Sequence, residues 1–136
     1  RRSRRRPARS CSAASGAPRS NMVAVQLGLQ DSGLRGIVLE GPPIVIQGRD
    51  TGLLDWAKAL RLPVLILQGE ADSITPALQT KRLEATLRSR PNGSYQAHYY
   101  SGLGHGLGPA GSSQFASIIQ GVLGDLAMWL RQQVRP

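Results

Sequence analysis

Apolar positions along this chain switch between a helical period and short unbroken runs. In "NMVAVQLGLQ", Val23, Ala24 and Leu27 fall at helical spacing and Asn21 is available as an N-cap, which predicts a short helix from Asn21. After the turn "DSG", residues 36–39 form a strand candidate that Gly41, Pro42 and Pro43 end. "DTGLLDWAKALRL" sets Leu53, Leu54, Ala57 and Leu60 on one face, with Asp50 or Thr51 as a cap, and reads as a second helix. "PVLILQG" is continuously apolar rather than alternating, the signature of a strand covered on both faces. Residues 76–88 are helical again, with Pro76 at a first-turn position, and "SYQAHYY" is a third strand. Phe115, Ile118, Ile119, Val122, Leu123, Leu126, Trp129 and Leu130 make the clearest amphipathic helix in the chain.

The order is helix, strand, helix, strand, helix, strand, helix. Such alternation predicts an α/β fold, a parallel sheet with flanking helices. In sheets of that kind ligands bind beyond the carboxyl ends of the strands, where the loops converge. A chain of 136 residues is enough for one modest core. Because it begins at Arg1 without an initiator Met, it reads as a fragment or a processed product.

Charge changes the picture only at one end. The formal net charge is +9, but seven arginines fall in residues 1–20, which hold no acid. Residues 21–136 carry 10 basic and 8 acidic groups, a net of +2. A nucleic-acid module would carry its basic surface on the folded part, interleaved with aromatics, and none of the six aromatic residues lies in the arm. Nucleic-acid binding is therefore disfavoured. With so little apolar surface, residues 1–20 are expected to be a disordered arm and residues 21–136 the folded body. The arm is compatible with a transit peptide, an anionic-surface binder, a segment foreign to the fold, or a solvated tail. Cys11 is the sole cysteine, which excludes an intrachain disulfide and a cysteine zinc site and favours a reducing, cytoplasmic location. No apolar run approaches the roughly 18 residues that span a bilayer.

Candidate chemistry lies just past two strands. Glu70 and Asp72 follow "VLILQG", and His105 sits in "YYSGLGHGLG" between glycines that let the backbone turn and expose one side chain. An Asp that accepts the Nδ1 hydrogen of a His fixes the tautomer and leaves Nε2 as a general base. Asp72 and His105 are the candidate catalytic pair. His98, inside a strand beside Tyr99 and Tyr100, reads as a packing or edge residue, and Trp56 and Trp129 read as core.

These residues resemble the C-terminal half of an α/β-hydrolase. Gly69-Glu70-Ala71-Asp72 with Pro76 matches that family's G-x-x-D strand end. Gly102-Leu103-Gly104-His105-Gly106 matches its histidine loop, and Val122, Leu123, Asp125, Leu126, Trp129 and Leu130 match its closing helix. The resemblance covers residues 21 to about 134. It implies hydrolysis of an ester, thioester or amide by a nucleophile–His–Asp triad, with Asp72 as the acid, His105 as the base, and no metal or organic cofactor. It gives Glu70 a structural or surface role. The short connection between "IVLEGPP" and "PVLILQG" leaves no room for a large cap and favours an esterase-like, thioesterase-like or peptidase-like relative. The family's G-x-S-x-G elbow has no counterpart in "SGAPRSN": the aligned nucleophile position is Pro18, and Cys11, Ser12, Ser15 and Ser20 lack the flanking glycines. The chain is accordingly expected to be a poor or inactive hydrolase, and its uncovered sheet edge to favour self-association. Two other readings stay open, a non-catalytic interaction protein on a hydrolase scaffold and a binder driven by the arginine arm.

Overall fold

The computed structural model describes residues 18–91, 93–111 and 120–134. Along the chain come α1 (Pro18–Gln30), β1 (Ile37–Glu40), β2 (Val45–Ile46), β3 (Arg49–Asp50), α2 (Leu53–Ala59), β4 (Val64–Gly69), α3 (Ala77–Arg88), β5 (Tyr95–Tyr100) and α4 (Gln120–Val134). Three strands form one parallel sheet in the order β1-β4-β5. The α/β architecture with flanking helices is the one the sequence predicts, in the predicted order of elements.

β4 explains why its sequence has no polar alternation. All six of its residues are buried. Val64 and Ile66 join Ile37, Leu39, Val25, Leu53, Ala57, Leu83 and Leu87 on the face covered by α1, α2 and α3. Leu65 and Leu67 face the other way, onto Leu103, Leu107, Val122 and Trp129 under α4. A strand sandwiched in this way must be apolar on both sides, and each fully buried Leu, Ile or Val contributes about 1.5–3 kcal/mol.

Three expectations are corrected. The first helix starts at Pro18, not at Asn21, so Pro18, Arg19 and Ser20 belong to α1 rather than to the arm. Asn21 is therefore no N-cap; it is buried inside the helix and used elsewhere. Its Nδ2 donates to the Glu40 carbonyl at 2.8 Å, and its Oδ1 accepts the Glu40 N–H at 3.1 Å. The side-chain amide thus mimics one residue of a neighbouring strand on the uncovered edge of β1. Second, "IVIQGRD" folds as the antiparallel hairpin β2–β3, with Gln47 and Gly48 at positive φ in its turn. Third, the N-cap of α2 is Gly52, although the expected cap residues hold the same turn: Asp50 accepts the Gly52 N–H at 2.7 Å and Thr51 the Leu53 N–H at 3.3 Å. Phe115, Ile118 and Ile119, assigned by pattern to the last helix, lie outside the described residues, as does the arm up to Ala17.

The Asn21 clamp gives a first prediction. Asn21→Ala removes both bonds to Glu40, each worth about 1 kcal/mol net, so urea unfolding should show a loss of about 2 kcal/mol. A change below about 0.5 kcal/mol, the usual scatter of surface substitutions, would mean that the clamp contributes nothing to holding α1 on the sheet.

Candidate active site

The site is assembled by two loops that leave neighbouring strands at the same level. β4 and β5 run in parallel to a common end, where Gly69 pairs with Tyr100. Past that end the loops remain tied by main-chain bonds: Glu70 N–H donates to the Tyr100 carbonyl and Ala71 N–H to the Leu103 carbonyl, both at 2.9 Å. Gly69 permits this approach. A Cβ there would lie 2.4 Å from the carbonyl oxygens of both Leu103 and Gly104. The glycine of the G-x-x-D motif is thus required by the histidine loop that crosses it.

That seam brings Asp72 and His105 together across 33 positions of sequence, with Nδ1 of the imidazole 2.9 Å from Asp72 Oδ2. The Asp72 side chain is entirely buried, whereas the imidazole keeps 26% of its surface exposed. Oδ1 of the carboxylate accepts the N–H groups of Ile74 and Thr75, both at 2.8 Å. With that oxygen occupied, Oδ2 is the one turned to the ring. An ionised carboxylate only accepts, so the proton of a neutral His105 resides on Nδ1, and Nε2 carries the free lone pair.

The histidine loop is shaped by its own backbone. Ala110 N–H returns to Gly102 O at 3.0 Å, Gly104 N–H to Gly108 O at 2.9 Å, and Leu107 N–H to Gly104 O at 3.1 Å. Leu107 adopts φ 55, a conformation that bulky residues avoid, and is held there with its side chain buried against the α4 layer.

Beneath the pair lies the end of β1. A Cβ at Gly41 would approach Asp72 Oδ2 at 3.1 Å and His105 Cε1 and Nδ1 at 3.2 Å, so the pair rests on bare backbone. Glu40, the preceding residue, is a member of this neighbourhood that pattern reading missed; the only signal was an acid at the end of a strand, in "LEGPP". Burial pushes its carboxyl above the usual range, the charge of His105 opposes that, and the charge of Asp72 adds to it.

The other candidates are placed elsewhere. Glu70 is exposed beyond the strand end. His98 stacks on the Tyr100 ring with centroids 6.4 Å apart, and its Nδ1 lies 3.6 Å from Asp125 Oδ2 on α4. Tyr100 donates to Asp125 at 2.8 Å, and burial together with that bond pushes its hydroxyl pKa upward. Trp129 is buried and Trp56 packs partly buried against the core. Pro18, the residue aligned with the nucleophile, opens α1, Ser20 lies in its first turn, and Cys11, Ser12 and Ser15 lie outside the described residues. Among the described residues no group of three or more His, Cys, Asp or Glu side chains could hold a metal, and no helix is long and apolar enough to cross a membrane.

A parallel sheet with helices on both faces and a buried Asp joined to a loop His at its carboxyl rim defines a partial α/β-hydrolase fold. Solved structures agree on that fold. A puromycin-hydrolysing peptidase of Mycobacterium tuberculosis matches 86% of this chain with a TM-score of 0.60 at 15% identity. A protein of Klebsiella pneumoniae subsp. pneumoniae MGH 78578, assigned as a dienelactone hydrolase, matches 84% with a TM-score of 0.57 at 18% identity. An α/β serine hydrolase homologue of Coxiella burnetii matches 85% with a TM-score of 0.50 at 16% identity. The chain spans only 21%, 48% and 45% of those three chains, respectively. No protein-family model and no curated protein sequence matches it.

Proposed function

We propose that this chain carries the acid–base part of an α/β-hydrolase site that cleaves an ester, thioester or amide. The observation that carries the reading is the 2.9 Å contact between His105 Nδ1 and a buried carboxylate whose other oxygen is already occupied by two main-chain amides. In this reading His105 Nε2 accepts the proton of the attacking group, Asp72 stabilises the resulting imidazolium, and the ring returns the proton to the leaving oxygen, sulfur or nitrogen. The connection across residues 44–62 holds only the β2–β3 hairpin and α2, and Gln79 of α3 ties the hairpin down by accepting the N–H groups of Ile44 and Val45 at 2.8 and 2.9 Å. An uncapped rim suits esterase-like, thioesterase-like or peptidase-like substrates.

A second reading, a hydrolase scaffold used for binding alone, is favoured by one observation: the sequence contains no G-x-S-x-G elbow. Hydrolysis of p-nitrophenyl acetate by the purified chain separates the two. The acid–base reading expects slow turnover above buffer that falls about 10²–10⁴-fold, the usual contribution of a general base, in His105→Ala. Turnover absent from the parent chain, or unchanged in His105→Ala, gives the site to the scaffold reading.

A further inference from the structure

Behind the Asp72–His105 pair lies a buried polar chain that the proposed acid–base chemistry does not itself use. Gln68, fully buried in β4, extends its amide toward α3. Its Nε2 donates to the Gly69 carbonyl at 2.8 Å and the Thr75 carbonyl at 3.1 Å, and lies 3.4 Å from Asp72 Oδ2. Its Oε1 accepts the hydroxyl of Thr80, which is also fully buried. Gly69 and Thr75 flank the turn that carries Asp72, so one amide nitrogen closes that turn from below. The amide has one workable orientation. Reversed, Oε1 would face two carbonyl oxygens and a carboxylate, three acceptors with no donor among them.

We propose that Gln68 and Thr80 are positioning residues for His105, acting through Asp72: Thr80 locks the amide plane, the amide fixes the 69–75 turn, and the turn presents Oδ2 to Nδ1. This rests on the acid–base reading of the pair. Each link is necessary because the carboxylate has two equivalent oxygens, and only the fixed turn assigns Oδ1 to the Ile74 and Thr75 amides and Oδ2 to the ring. An Asp on a loosened turn would rotate and share both oxygens among whichever donors remained. The chain also joins the position of α3 to the imidazole, although α3 contributes no group to the rim chemistry.

The test reads the bond itself rather than turnover. The Nδ1 proton of His105, held by Asp72, should give a downfield proton resonance in the NMR spectrum, assigned by its loss in His105→Gln. Thr80→Val, which removes only the hydroxyl, and Gln68→Met, near in volume, should each abolish that resonance, while Thr80→Ser keeps it. Leu83→Ala, a core truncation on α3 outside the polar chain, serves as the control for destabilisation and should keep it. Retention of the resonance in both Thr80→Val and Gln68→Met overturns the proposal, as does equal loss in Leu83→Ala. A parent chain without the resonance removes the Asp72–His105 pair, and with it the acid–base reading, whereas the other two results leave the pair intact.

Discussion

Gly69→Ala should be among the most damaging single-atom additions possible in this chain, costing about 3 kcal/mol or more and lowering the melting temperature by about 10 °C. The added Cβ would sit 2.4 Å from two carbonyl oxygens, Leu103 O and Gly104 O, and 2.8 Å from the Leu103 carbonyl carbon. These are backbone atoms, so no rotamer change relieves the overlap. The histidine loop must lift, yet Ala71 N–H to Leu103 O and Glu70 N–H to Tyr100 O hold it to the same segment. Lifting it breaks bonds worth about 1 kcal/mol each and withdraws His105 from Asp72. The informative control is Gly102→Ala. Gly102 has φ +73 with nothing within 4 Å of an added Cβ, so the cost there is left-handed backbone strain alone, about 1–2 kcal/mol. Close approach therefore outweighs backbone conformation: thermal melts should rank Gly69→Ala well below Gly102→Ala, and the reverse order would refute the account of the seam. Tertiary signals from the Asp72–His105 contact should be lost in the first variant and kept in the second.

That glycine also shows what a sequence can disclose. "VLILQG" announces a doubly covered strand through composition alone, and the spacing of two loop motifs after two strands is enough to pair Asp72 with His105, because parallel neighbours end on one rim. Side chains used for tertiary contacts against their local signal are harder to see. Asn21 has the residue type and position of an N-cap, but burial against β1 recruits its amide for the edge of Glu40. Gln68 looks like the fraying polar end of an apolar strand and is instead completely buried, because Thr80 arrives from a helix twelve residues later. The hairpin of β2 and β3 has two residues per strand, too short to show alternation, and depends on Gln79 for its attachment. Arg90 is the furthest from legible. In "RSRPNGS" it reads as a solvated charge in a turn.

Arg90 is in fact buried, and it donates only to main-chain carbonyls. Nη1 reaches Leu60 O at 2.6 Å and Leu62 O at 3.4 Å, Nη2 reaches Ser94 O at 3.2 Å, and Nε reaches Leu87 O at 3.2 Å. No carboxylate pairs with it among the described residues, and burial lowers its pKa from the ordinary guanidinium value. The four acceptors belong to the residues that end α2, lead into β4, close α3 and precede β5. Ser94 O also accepts the Val64 N–H at 3.1 Å, the bond that starts the β4–β5 ladder. The guanidinium therefore sets the register at the lower end of the ladder whose upper end carries both site loops. Arg90→Met keeps the stem but strands several carbonyls, and should cost about 3–4 kcal/mol, within the range for losing buried bonds to a charged group. Arg90→Lys offers a single point of donation in place of a rigid fork and should fall about midway between parent and Met. Urea unfolding measures both, and hydrogen exchange at the Val64 and Leu65 amides should accelerate in Arg90→Met ahead of global unfolding. A lysine variant as stable as the parent would show that charge alone suffices. A methionine variant as stable as the parent would show that those carbonyls find other donors, and the register would then have to be held by the apolar layers on either side of β4.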